Sequence, residues 1–457
     1  MTSPLVGQSG AGAARNAWRR SIGVLLSRLW DGQVTRRSLP LVGASLLGIA
    51  LSFAKSVVLA RSLGVAGFGQ LSYALAITLF VGQFANMKTG DNLVRFVGAA
   101  LARGERSRAT TYAQLGVVVD VTAAVLALAI VYWIAGPLAA GHSNQTALRQ
   151  MIEIYALALP FLLLRSTFMG LLTALKSFRA VAGLQVALPA AELAAISWLA
   201  RQGEAAAVTG LAIGAITASL ITIALGGWLF WRSTGSWRGA GYRDAWRELR
   251  PFTIYGSLQG SLKSLTANLD LVVLGFFRPA SEVGYYALAR SGVGVLATMV
   301  APLAQVLHPL LNEAWVGRRW GELRRLIASF MLINGLAGLA ALAALLLMGR
   351  WLVTNIYGPA YTPAVVLMQV LVIAVALQAV FAWMRRLLLV AGRPRLDLIA
   401  GVFGTAFFLI LVVPASVFGG AIGLAGLEIL RATLMVAIFA WAISTKVGTR
   451  SLDLESS

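Results

Sequence analysis

Nine charged side chains interrupt apolar runs long enough to cross a bilayer: Lys55, Asp120, Arg165, Glu192, Lys263, Asp270, Arg290, Glu428 and Arg431. Each costs ~2.5–3.5 kcal/mol to place in hydrocarbon even on a lenient insertion scale, so each needs a counter-charge, a wet cavity or a route to the interface. Gln259, Lys263, Thr266 and Asp270 follow at steps of four, three and four, which puts them on one helical stripe. Ser45, Gly48, Ser52 and Lys55 form a comparable stripe of small and polar residues, and Arg290 adds a second cation. Two readings of this set stand side by side. In one, a hydrophilic cavity with a cationic bias is lined by the first, seventh and eighth spans, making Lys55, Gln259, Lys263, Asp270 and Arg290 the substrate-binding candidates. In the other, Lys55 and Asp270 form a structural ion pair and Arg290 snorkels to the interface.

Smaller constellations surround this set. Lys88, Asp91 and Arg95 share their spacing with Gln305, His308 and Asn312, so Lys88, Asp91, Arg95 and His308 are candidates for the inner mouth of a cavity. They equally suit ordinary helix ends. Asp120 and Glu192 have no evident partner, and a carboxylate alone in hydrocarbon readily takes up a proton, which makes both coupling candidates. Glu428 and Arg431 stand three apart on one helix and neutralise each other. Arg165 either snorkels or faces the cavity. Enzyme motifs fail on inspection: Gly82 to Thr89 (GQFANMKT) and Gly170 to Ser177 each lack the glycine before lysine that a phosphate loop requires. With no cysteine and only His142 and His308, neither a metal site nor a cofactor is expected.

The elements that must hold these residues are membrane helices. Of 457 residues, 58% are hydrophobic and 12% charged, with a mean hydropathy of +0.79. This composition excludes a secreted enzyme, a cytosolic dinucleotide-binding protein and a disordered scaffold, and unbroken apolar runs argue against a porin. Twelve spans are predicted, at about 41–60, 67–87, 111–135, 151–173, 181–200, 207–231, 251–277, 283–311, 326–348, 362–384, 396–417 and 421–445. With both termini inside, the cytoplasmic segments hold 28 of the 38 Lys and Arg residues, as the positive-inside rule requires. The net charge of +21 therefore reflects topology rather than nucleic-acid binding. Residues 1–39 form a basic cytoplasmic tail in which Trp18, Ile22, Leu25, Leu26 and Leu29 fall at helical spacing, either an interfacial amphipathic helix or a frayed basic end. Residues 40–231 are expected to form an N-terminal lobe of six spans, 232–250 a cytoplasmic linker, 251–445 a C-terminal lobe of six, and 446–457 a cytoplasmic tail.

The two halves repeat each other. Phe68-Gly69 followed by Tyr73-Ala-Leu-Ala matches Val283-Gly284 followed by Tyr286-Ala-Leu-Ala, and Arg103-Gly104-Glu105 matches Trp320-Gly321-Glu322. Repeats of six spans share one orientation and are related by an axis along the membrane normal, a layout suited to alternating access. The stretches VLARSLGVAGFGQLSYALA (58–76), with Gly90 and Arg95 beyond it, and NLDLVVLGFFRPASEVGYYALA (268–289) resemble the repeated signature of polysaccharide-transporter flippases. These are the O-antigen and exopolysaccharide flippases of the multidrug/oligosaccharidyl-lipid/polysaccharide (MOP) exporter superfamily, and the resemblance covers about residues 40–445.

That resemblance implies an all-α integral membrane fold of two six-helix bundles in a V. It implies a non-enzymatic flippase in the bacterial inner membrane, moving a polyprenyl-pyrophosphate-linked oligosaccharide to the periplasmic leaflet. Its expected partners are that lipid-linked oligosaccharide, membrane lipids and polysaccharide polymerase or export proteins. Lys55, Lys263 and Arg290 would then hold pyrophosphate. A cation-coupled drug or metabolite antiporter of the same superfamily would need a carboxylate-dominated cavity instead. A membrane polysaccharide polymerase or ligase would need a long external loop, and the longest here, about 136–150, has some fifteen residues.

Overall fold

A computed structural model of the chain describes residues 32–142, 144–264 and 266–446. The N-terminal amphipathic helix expected around Trp18 to Leu29 and nearly all of the C-terminal tail lie outside the described residues. All regular structure among the described residues is helical: α1 Gly32–Ala85, α2 Thr89–Ala102, α3 Arg106–Ala139, α4 Gln145–Ala156, α5 Leu159–Ala174, α6 Phe178–Leu199, α7 Glu204–Thr234, α8 Tyr242–Ser264, α9 Leu269–Phe277, α10 Ala280–Val316, α11 Trp320–Ile356, α12 Ala364–Val390 and α13 Pro394–Lys446. An apolar chain in lipid must satisfy its backbone internally, and the helix does so within each segment. Eight helical stretches among the described residues are long and apolar enough to cross a membrane.

Two helices contain hairpins. At 1.5 Å per residue a straight α1 would run about 80 Å, far beyond a ~30 Å hydrocarbon core. Instead Gly64 leaves helical geometry (φ 68°, ψ −177°), and residues 44–53 return beside residues 86–94 around one cavity. Gly420 (φ 58°, ψ −143°) does the same in α13, bringing Leu396 back beside Ile443. The first, second, eleventh and twelfth predicted spans are these four arms.

The fourth and seventh spans are each divided. Leu157–Ala158 separates α4 from α5 just ahead of Pro160, which has no N–H to offer Ala156 O and whose ring crowds that carbonyl, so α4 ends there. The seventh span departs from its expected single stripe. Here α8 stops at Ser264 and α9 starts at Leu269, so Thr266 sits in the break and Asp270 in the first turn of α9. The carbonyl freed at Ala267 accepts a hydrogen bond from Arg290, and Asp270 accepts Leu271 N–H at 2.9 Å.

The core explains the V. One large apolar cluster runs through both bundles and includes Leu59, Tyr73, Met151, Tyr286, Tyr361 and Phe408. The remaining clusters each stay within one bundle, among them Leu93, Val97, Phe168 and Phe230 on one side and Leu307, Leu311, Phe330 and Leu387 on the other. The bundles are therefore fused through a shared apolar core at the end marked by Gly64, whereas toward the end marked by Lys88 their cores are separate and α8 crosses to pack on the N-terminal bundle.

The fused end is built from close backbone approach. A Cβ on Gly69 would stand 1.7 Å from Ala280 O and 2.9 Å from Gly284 N, while one on Gly284 would stand 2.3 Å from Val65 O. Gly69 and Gly284 are equivalent positions of the sequence repeat, so the axis relating the bundles passes where they touch. Around this crossing Tyr361 Oη donates to Ala60 O at 2.9 Å, and the Arg61 guanidinium donates to the terminal carbonyls of α11 at Asn355 and Ile356. Tyr73 lies against Gly275 and stacks on His142, whose Nε2 is 2.7 Å from Gly275 O.

Candidate functional site

A cavity of about 870 Å³ lies in the Lys88 half, beyond the fused end. Its walls come from the first arm of α1 (Ser45, Gly48, Ser52), the α1–α2 junction (Asn86, Lys88, Asp91), α5 (Arg165, Ser166, Thr173), α6 (Gln185, Pro189) and α10 (Ser291, Gly294, Thr298). The charges among these described residues are Lys88, Arg165 and Asp91, two cations to one carboxylate. Arg165 has no hydrogen-bond or ion-pair partner among the described residues, although Glu192 and Tyr155 act on it electrostatically. Lys88 likewise has no carboxylate partner among them.

The geometry of the junction sets where these cations stand. Asn86 Oδ1 accepts Lys88 N–H at 3.0 Å, and Lys88 takes a left-handed backbone (φ 52°, ψ 27°) before α2 begins. A non-glycine residue rarely adopts this conformation, so its surroundings must hold it there. The next turn is pressed onto α5. A Cβ on Gly90 would stand 2.4 Å from Ser166 O, and one on Gly170 would stand 2.3 Å from Gly90 O. Behind this contact the buried Asp120 of α3 accepts hydrogen bonds from Thr89 Oγ1 at 2.6 Å and from Thr167 Oγ1. Thr89 follows Lys88 and Thr167 is two residues beyond Arg165, so one carboxylate ties the backbones that carry both cavity cations.

The cations predicted for substrate binding are placed differently. Lys55 pairs with Glu192 of α6 within the N-terminal bundle. Asp270 accepts from Arg290 Nη1 at 3.1 Å and Tyr286 Oη at 3.0 Å within the C-terminal bundle. The expected Lys55–Asp270 ion pair is thus not formed, because each charge finds a counter-charge inside its own bundle. None of Lys55, Asp270 and Arg290 lines the cavity, though Ser45, Gly48 and Ser52 of the same first-span stripe do, as does Ser291 next to Arg290. Gln259 and Lys263 fall on α8, and their side chains lie outside the described residues. Glu428 and Arg431 pair at 2.6 Å on α13.

Among the inner-mouth candidates, Lys88 and Asp91 line the cavity. Arg95 lies over the Phe252 ring, 4.4 Å from its centroid, and His308 is exposed on α10. Asp120 and Glu192, read as partnerless carboxylates, have partners from distant sequence: two threonines for Asp120 and Lys55 for Glu192. The α6 wall escaped sequence reading. Its signal was Gln185 and Pro189, one turn apart on the helix that also carries Glu192. The two failed phosphate-loop segments are helix ends, with Lys88 and Lys176 both in left-handed backbone.

The sequence profile of a polysaccharide biosynthesis protein family matches residues 34–315, more than half of the chain. No curated protein matches it. Among solved structures, the fold is similar to the lipid II flippase MurJ in an inward closed conformation, with TM-score 0.70 and 11% identity over 90% of this chain and 87% of that one. It is similar to a multidrug resistance MATE family transporter of the MOP superfamily in an inward-facing conformation, with TM-score 0.68 and 13% identity over 88% and 98%. A third likeness, with TM-score 0.60 and 12% identity over 91% and 97%, is to a MOP superfamily transporter from Pyrococcus furiosus whose binding pocket is described as of reverse polarity. At these identities the likeness is one of fold: an all-α membrane architecture of the MOP kind.

Proposed function

The chain belongs to the polysaccharide biosynthesis protein family, and from that premise we propose that it is a flippase for polyprenyl-pyrophosphate-linked oligosaccharide. It carries this lipid by alternating access from the cytoplasmic to the periplasmic leaflet of a bacterial inner membrane, for assembly of surface polysaccharide such as O-antigen or exopolysaccharide. The observation that carries the reading is the cavity at the Lys88 end, with Arg165 and Lys88 in its walls and neither ion-paired to a carboxylate among the described residues. The positive-inside rule supports a cytoplasmic position for that end, because basic connections between helices gather there. The cavity then opens toward the leaflet where the substrate is made, and the fused end closes the periplasmic side.

The chemistry follows from what must cross. Pyrophosphate and sugars cannot enter hydrocarbon without losing their hydrogen bonds to water. In the cavity Arg165 and Lys88 replace that water around the pyrophosphate, and Ser45, Ser52, Asn86, Ser166 and Gln185 offer donors and acceptors to the sugars. At about 870 Å³ the space is toward the upper end of the ~300–1,000 Å³ typical of small-molecule sites. The prenyl tail stays in lipid between the separating bundles. Moving negative charge outward down an inside-negative potential releases ~2.3 kcal/mol per charge per 100 mV, so the membrane potential can contribute to the drive. An antiporter of the same superfamily would favour a carboxylate-lined cavity, whereas Asp91 is the sole carboxylate among the described lining residues.

A deletion strain tests this function. Flippase activity predicts accumulation of cytoplasm-facing lipid-linked glycan and loss of surface polysaccharide, both restored by the gene. Unchanged carrier and unchanged surface glycan, in a strain without a second flippase, would contradict it.

A further inference from the structure

The connection between the bundles is held in one place. Thr111 Oγ1 both donates to Ala240 O (2.9 Å) and accepts from Ala240 N (2.8 Å). Gln114 Nε2 donates to Trp237 O and Gln114 Oε1 accepts from Tyr242 Oη, each at 2.6 Å. Glu248 accepts from Arg108 and from Tyr112. Residues 236–248 are thereby fastened along the start of α3, and the first turns of α8 acquire an inner and an outer face.

The inner face buries Ala245, Leu249 and Thr253, at 1%, 0% and 5% exposure. The outer face carries Arg243, Trp246, Arg247 and Arg250, all exposed and spaced three, one and three along the helix. None of these three arginines has a hydrogen-bond, ion-pair or ring partner among the described residues. Glu248, which could have neutralised them, is turned toward Arg108; Asp244 remains beside them without an ion pair of its own. Exposed Trp237 and Tyr242 extend the aromatic side of the patch. Arginines interleaved with tryptophan and tyrosine at the end of a membrane helix match the phosphate and glycerol depth of a bilayer surface.

We propose that the Arg243–Trp246–Arg247–Arg250 face is a binding site for the head groups of anionic phospholipids. The site is mechanically joined to the cavity, because α8 continues to Gly256 and Ser257. There a Cβ on Gly256 would meet Lys88 Cβ at 3.6 Å, and Ser257 contacts Met87. Lipid held at this face therefore braces the cytoplasmic arm of the seventh span against the cavity mouth, whatever substrate the cavity carries.

Native mass spectrometry of the purified full-length protein, titrated in detergent with phosphatidylglycerol or phosphatidylcholine, tests the site without reference to transport. The wild type is expected to retain phosphatidylglycerol in preference to phosphatidylcholine. Arg243→Gln, Arg247→Gln and Arg250→Gln combined should weaken that retention about fivefold per arginine, on the order of a hundredfold in all. The corresponding three lysine substitutions should keep most of it, which separates charge from folding. Retention by the glutamine variant equal to wild type, or equal retention of the two lipids, would overturn the proposal. So would displacement of phosphatidylglycerol by pyrophosphate at low concentration, which would reassign the face to the head group of the transported lipid.

Discussion

At the residue scale the account rests on two cations and the carboxylate behind them. A hydrogen bond to a charged group is worth ~1.5–3 kcal/mol, so Arg165→Gln and Lys88→Gln should each lower transport roughly 10- to 100-fold at normal expression. Measuring export in a complemented deletion strain, with membrane abundance checked by blot, decides this; full export by both single variants and the double would remove the anion site. Asp120 has a different task, since it touches no cavity surface and holds Thr89 and Thr167. Asp120→Ala should destabilise the protein by about 1–3 kcal/mol, the usual cost of stripping buried hydroxyls of their acceptor. Asp120→Asn keeps one acceptor oxygen and should retain stability and transport. Loss of transport by a well-folded Asp120→Asn protein would instead mark Asp120 as a proton carrier.

At the scale of elements, the proposed alternating access needs the fused end to act as a gate, and its contacts are made of backbone. The Gly69 and Gly284 positions cannot accept a side chain without separating α1 from α10. Overpacking of this kind costs about 1–3 kcal/mol, enough to shift a conformational balance of similar size. Gly284→Val is therefore expected to favour the state open at the Gly64 end. The natural absence of cysteine makes this directly readable. Leu59, buried at this end, can be replaced as Leu59→Cys and probed with a membrane-impermeant maleimide from the side proposed to be periplasmic. Labelling should be slow in Leu59→Cys alone and fast when Gly284→Val is added. Equal labelling in both would mean that the glycine crossing does not govern closure. Arg61 adds a polar catch, since its guanidinium sits on the negative end of the α11 dipole.

At the scale of the whole molecule, what was legible in the sequence follows from what membranes punish. The all-α membrane fold and the family resemblance came through because unbroken hydropathy and the glycine-centred signature are written along the chain. Partner choice was not legible, because Glu192 reaches Lys55 across 137 residues and Thr167 reaches Asp120 across 47. The Lys55–Asp270 pair, one of the two readings of these charges, is not formed for that reason: an offset between repeats predicts equivalent positions, not contacts, whereas positions beside the axis, such as Gly69 and Gly284, meet. The broken seventh span hid behind an intact periodicity, since a polar stripe looks the same whether or not the helix is interrupted within it. Arg165 was visible as an intramembrane charge but not as one without an ion pair among the described residues, because that depends on what the other charges have bound.

Transfer of a lipid-linked anion between leaflets, the activity proposed for this molecule, can be measured in reconstituted vesicles containing labelled polyprenyl-pyrophosphate-linked oligosaccharide. An impermeant reagent added outside reports how much carrier faces it over time. The account predicts protein-dependent exchange that exceeds protein-free vesicles and is lost in the Arg165→Gln/Lys88→Gln double variant. Exchange no faster than in protein-free vesicles, or equally fast for a prenyl glycoside without the pyrophosphate, would contradict it.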